Sequence, residues 1–265
     1  MMGVADCGWG MLFARNAQEA GDFALIARRA AEDSETPFFN VQDGFLTTHT
    51  IESVLQPEPE MMKQYLGKPE DKLRRIFDPE TGTMSGVVQN QDSYMKGKIA
   101  QRWFYDRVPQ ALANAFEEFY CLTGRRYDPV MGYRLEDADY VLVGMGSMMD
   151  TARATIDYMR AHLGAKVGVL AVIAFRPFPG ARIVEALKGT QAISVIERMD
   201  DPLAQSNALT REIKAAFAEA MNSVPGYPKI DRIPQIFSGS AGMGSRDVRP
   251  GDFVGVECHA DGMPI

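Results

Sequence analysis

His49 stands behind two hydroxyl residues, Thr47 and Thr48, in a stretch that opens with Asp43-Gly44. An imidazole beside hydroxyls can form the polar wall of a site or move a proton near neutral pH. The same groups can also do no more than hold their own loop. Asp43 can fix a substrate or the loop, and Asp-Gly is a common turn pair as well. Arg15 and Asn16 sit where the apolar run Gly10-Met11-Leu12-Phe13-Ala14 gives way to an alanine-rich segment. At such a junction Asn16 is most simply a helix cap and Arg15 a solvated charge. Arg176, in Arg176-Pro177-Phe178-Pro179, can bind an anion or pair with a carboxylate across an interface. The structural pairing is the favoured reading. Gly144-Met145-Gly146 could let a phosphate approach the backbone, but the third glycine of GxGxxG is absent and a tight turn explains it as well. Gly239–Gly244 offers an anion nest or a docking loop.

Other chemistries are excluded by what is missing. Cys7, Cys121 and Cys258 form no CxxC pair, and His49, His162 and His259 no HxxxH pair. A self-contained zinc hydrolase and a four-thiolate cluster are therefore not expected. The net charge of −7 argues against a nucleic-acid partner, which needs a basic face. No apolar run approaches the ~18 residues of a membrane span, and the start lacks the pattern of a signal peptide. The expectation is a cytoplasmic protein with reduced thiols. The 16 methionines are read mainly as core residues.

The elements that must position these residues follow from periodicity. Gly10–Ala14 predicts a short buried strand. Asn16 with Glu19 predicts a capped helix of about 16 residues bearing a stripe of alanines, Phe23 and Ile26. Residues 37–42 predict a second strand, whose end carries the 43–50 loop. Ligands bind at such carboxyl ends in α/β sheets. Residues 56–92, rich in proline, glycine and acids, predict a long irregular excursion with one short helix near 60–66. A helical hairpin or kinked helix is expected over 94–122, Pro109 starting its second part. Residues 124–137 suggest a linker. Then strands at 140–143, 167–173, 192–196 and 233–237 alternate with helices, the first capped by Ser147 with Asp150 and closed by Gly164. Continuous apolar strands alternating with amphipathic helices predict a mostly parallel sheet covered on both faces. The fold class expected is thus α/β, two three-layer domains divided near residue 130.

Taken together, several stretches resemble the α subunit of pyruvate:ferredoxin oxidoreductase and related 2-oxoacid:acceptor oxidoreductases. They are Asp6-Cys7-Gly8-Trp9, Asn16–Ala20, Asp43–Thr50, Val141–Ser147, Lys166–Leu170, Phe175–Pro179 and Gly242–Asp247, in the family's order. The resemblance implies that residues 1–130 are the later part of a pyrimidine-type thiamine-fold domain. Residues 131–265 would be a domain like the transketolase C-terminal domain, serving oligomer contacts. It also implies CoA-dependent oxidative decarboxylation of a 2-oxoacid on thiamine diphosphate with magnesium. Electrons would leave through 4Fe-4S clusters to ferredoxin or flavodoxin. In the family the cofactor-activating glutamate precedes the stretch where this chain begins, and the cluster cysteines lie elsewhere. The chain is therefore expected to work only with partner parts, in an oligomer. His49, Thr47 and Asp43 would be site-wall residues, and Arg15 and Asn16 substrate-binding ones.

Two departures stand out. Ala5 occupies the place of an arginine that meets the 2-oxoacid carboxylate, a contact worth roughly 1.5–3 kcal/mol. Either Arg15 or a partner residue replaces it, or the substrate is not pyruvate. Leu46 stands where single-chain members often carry arginine. Two alternatives accompany this reading: an assembly module that keeps the fold without the chemistry, and the β component of a 2-oxoacid dehydrogenase or a transketolase-like enzyme.

Overall fold

The computed structural model describes residues 1–73, 78–82 and 86–260, the last four by backbone alone. Parts of the 56–92 excursion and the side chains of Cys258 and His259 lie outside the described residues. A three-stranded sheet has the order β2-β1-β6, with β1 Gly10–Phe13, β2 Phe38–Val41 and β6 Ala174–Arg176. A five-stranded sheet has the order β3-β5-β4-β7-β8. Its strands are β3 Val130–Tyr133, β4 Tyr140–Gly144, β5 Val167–Val172, β7 Ala192–Glu197 and β8 Gln235–Ser240. Four of the six strand pairings are parallel, so the α/β, parallel-rich class stands.

Only Ile173 separates β5 from β6, so one extended segment serves both sheets. Phe13 N–H donates to the Ile173 carbonyl at 2.7 Å. Side-chain alternation along β1 then divides the core. Leu12 joins Phe23, Phe119, Leu142 and Ile156 in one cluster. Met11 and Phe13 join Phe175, Ile183, Val195 and Phe217 in the other. Both clusters draw residues from either side of position 130.

The first cluster is roofed by α1 Ala17–Ser34, α4 Val108–Thr123, α5 Met148–Leu163 and α8 Pro250–Ala260. The second is roofed by α6 Gly180–Leu187 and α7 Ala208–Met221. Asn16 caps α1 as its spacing requires, accepting from Glu19 N–H at 3.0 Å. Pro59–Leu66 forms α2, Gln91–Tyr105 forms α3, and α3 has no buried side chain.

Several expectations need correction. The 124–137 linker contains β3, an edge strand antiparallel to β5. Its three half-buried residues and the exposed Gly132 carry too little alternation to announce a strand. The last strand is 235–240 rather than 233–237. Helix α8 was not expected at all, because Pro250-Gly251 and Gly255 are poor helix formers. Ser147 does not cap α5; its hydroxyl is turned to another partner.

Candidate functional site

That partner is Asp43. Its Oδ2 accepts from Ser147 N–H at 2.8 Å and from the Ser147 hydroxyl at 2.6 Å. The turn between β4 and α5 therefore holds a carboxylate of this chain where a phosphate was considered. Gly146 has φ +77°, and a Cβ there would lie 2.7 Å from Asp43 Oδ2. Only glycine lets the carboxylate approach so closely. Arg198, just beyond β7, places Nη1 3.7 Å from the same oxygen.

Arg15 and Asn16 reach the neighbouring turn of α5. The Asn16 amide donates to Asp150 at 3.0 Å, and Arg15 Nη1 lies 3.8 Å from Asp150. Arg15 is not the solvated charge that its junction suggested: its side chain is 7% exposed. It is gripped by Glu19, whose carboxylate accepts from Arg15 N–H at 2.8 Å and Nε at 3.0 Å, and from Nη2. Burial works against the Arg15 charge, and the Glu19 hydrogen bonds more than offset it, leaving its pKa above the ordinary value. A guanidinium bound on so many sides is a brace between the halves of the chain.

Asp43 also begins the 43–50 loop. Thr47 N–H donates to the Asp43 carbonyl and His49 N–H to the Phe45 carbonyl, giving the loop a helical turn of its own. Phe45 adopts φ +63°, a strained conformation for an aromatic residue. Its ring is 64% exposed and lies 4.8 Å from the exposed His49 ring. His49 Nδ1 is 2.8 Å from the Thr48 hydroxyl. Thr47 is buried, and its hydroxyl has no hydrogen-bond partner.

Arg176 takes the structural role. It donates to Glu212 at 2.6 Å and to the Ala5 carbonyl at 3.2 Å, tying α7 to the N-terminal segment.

Among the described residues no three His, Cys, Asp or Glu side chains are grouped to hold a metal ion. Asp43 Oδ2 takes two hydrogen bonds from Ser147. Cys7 and Cys121 are exposed and free, and three cysteines cannot supply four thiolates. Among the described residues no helix is long and apolar enough to cross a membrane.

Residues 1–117 match the family described as pyruvate flavodoxin/ferredoxin oxidoreductase, thiamine diphosphate-binding. Residues 138–253 match pyruvate:ferredoxin oxidoreductase core domain II. Both halves of the chain thus match one class of proteins, the pyruvate:ferredoxin/flavodoxin oxidoreductases. The chain belongs to the pyruvate:ferredoxin oxidoreductase family.

A probable pyruvate-flavodoxin oxidoreductase of Escherichia coli is 32% identical over 94% of this chain and 21% of that protein. Pyruvate synthase subunit PorA of Thermotoga maritima is 32% identical over 94% of this chain and 61% of that subunit. The chain thus spans about a fifth of the first relative and three fifths of the second. A solved 2-oxoglutarate:ferredoxin oxidoreductase from Magnetococcus marinus, with 2-oxoglutarate, coenzyme A and succinyl-CoA bound, shares the fold. It matches at 15% identity and a TM-score of 0.53, over 95% of this chain and 42% of its own.

Proposed function

We propose that this chain is the α-type component of a cytoplasmic, CoA-dependent 2-oxoacid:ferredoxin or flavodoxin oxidoreductase. Thiamine diphosphate with magnesium and the 4Fe-4S clusters are held mainly by partner parts. When bound there, thiamine diphosphate supplies the carbanion chemistry at the 2-oxo carbon. The observation that carries the reading is the ordered match of both halves to one oxidoreductase family. The likeness to a subunit of pyruvate synthase supports a division of labour, and the near-130 boundary divides a thiamine-fold part from a packing part.

Within the chain, the 43–50 loop is the surface offered to the shared cavity. His49 and Phe45 form its exposed wall, and the unpartnered Thr47 hydroxyl is available to a group docked behind them. Asp43, Arg15 and Asn16 hold that wall in register with α5 rather than meeting substrate. Since Arg15 is spent on Glu19, the carboxylate contact absent at Ala5 falls to a partner residue. A partner is also indicated by α3, where Met95, Ile99 and Trp103 recur at helical spacing and are each at least 60% exposed.

Co-purification of the native complex, followed by CoA-dependent reduction of a low-potential dye with a panel of 2-oxoacids, tests this. Turnover is expected from the complex and none from the isolated chain. A complex that assembles but turns over no oxoacid contradicts it and favours the assembly-module alternative, for which the Ala5 substitution speaks.

A further inference from the structure

The five-stranded sheet changes direction at β4. From β4 the chain crosses through α5 to β5 on one side, and later through α6 to β7 on the other. The two helices lie on opposite faces, in different core clusters. Connections that diverge in this way leave a crevice at the carboxyl ends of the two strands, where open α/β sheets bind ligands. Here that crevice is a cleft of about 510 Å³. Phe13, Met145, Met148 and Met199 give it an apolar, adaptable wall. Arg198 is its basic side chain.

Arg198 is oddly placed for a structural residue. It is 15% exposed, yet among the described residues it makes no hydrogen bond, and its Nη1 is buried without a partner. Both nearby carboxylates are engaged elsewhere. Asp43 Oδ2 takes its two bonds from Ser147, 3.7 Å from Arg198. Glu197 accepts from Leu209 N–H, Thr210 N–H and the Thr210 hydroxyl at the start of α7. Gly242, at φ +69°, makes room for the guanidinium, since a Cβ there would lie 3.3 Å from Arg198 Nε. A largely buried guanidinium with no hydrogen bond, held only by a 3.7 Å ion contact with Asp43, is costly, and an oxyanion is the group that its fork matches.

We propose that this cleft binds a small organic anion, its phosphate or carboxylate head on Arg198 and its apolar body against the methionine wall. The site goes beyond the oxoacid reading and stands whether or not the complex turns over an oxoacid.

Titration of the full 265-residue chain with phenyl phosphate, benzoate, inorganic phosphate and phenol tests it. Phenyl phosphate or benzoate is expected to bind, and the tighter of the two identifies the head group. Inorganic phosphate is expected to bind at least tenfold more weakly than phenyl phosphate, and phenol not at all. Arg198→Gln should lose at least tenfold for the anion that binds. Binding that Arg198→Gln leaves unchanged, or no binding of either aromatic anion, overturns the proposal. Should that variant not fold, the methyl NMR signals of Met145, Met148 and Met199 in the unaltered chain decide. They are expected to shift with the bound anion and not with phenol, and unshifted signals overturn the proposal.

Discussion

The central strands of the five-stranded sheet and helix α3 are built on opposite terms. Along β5 and β7 every residue is buried, on both faces of the sheet. Along α3 none is. Each fully buried aliphatic side chain of the sheet contributes about 1.5–3 kcal/mol by leaving water. Helix α3 gains nothing comparable, and an isolated helix of its length is marginal in water. Residues outside the sheets are similar: Ile51, Leu55 and Val88 are 100%, 70% and 94% exposed. The sheet needs no other chain to explain its sequence. The α3 region carries Met95, Ile99 and Trp103 with nothing of its own to bury them, which accords with a companion covering them.

The largest effects should come from the sheet side. Phe217 on α7 is fully buried, and Phe217→Ala should cost about 3–5 kcal/mol in chemical denaturation. Nearly as damaging should be Arg15→Met, which strands the buried Glu19 carboxylate; a loss of about 3 kcal/mol is expected. Less is at stake in Ser147→Ala, which removes one of two hydrogen bonds to Asp43 and should cost about 1.5–2 kcal/mol. If these three variants denatured like the unaltered chain, the contrast with α3 would collapse.

A pH profile sharpens the contrast at the edge of the core. Burial raises the Asp33 pKa, but the Lys72 ammonium and Arg29 guanidinium paired with it outweigh that and hold the carboxyl below its usual range. A lowered folded pKa means stability that is fully present above the unfolded value, about 3.9, and lost as pH falls through the folded one. Asp33→Asn should therefore flatten the fall in stability below about pH 4. Smallest of all, Ile99→Ala on α3 should change the stability of the isolated chain by less than about 0.5 kcal/mol.

The same contrast explains how much could be seen in the residues alone. Strands β4, β5 and β7 were legible because each is an apolar run closed by a helix with its own stop, such as Gly164 at φ +65°. Asn16 was legible as a cap because its partner lies three residues away. Asp43–Ser147 and Asn16–Asp150 were not, since their partners are 104 and 134 residues apart. Such pairs depend on how the two sheets meet, which no local pattern encodes. Arg15 misled for the same reason: a charge at a junction says nothing of the α5 turn laid over it. Arg198 carried one readable signal, its place directly after an apolar strand at the carboxyl edge.

Hydrogen exchange, compared between the isolated chain and the assembled complex, tests most directly whether the sheet is self-sufficient and the 43–50 loop and α3 await companions. Amides of β4, β5 and β7 should be protected in both states, whereas those of the loop and α3 should exchange rapidly alone and slow on assembly. Protection of α3 in the isolated chain, or rapid exchange there within the complex, would contradict the account.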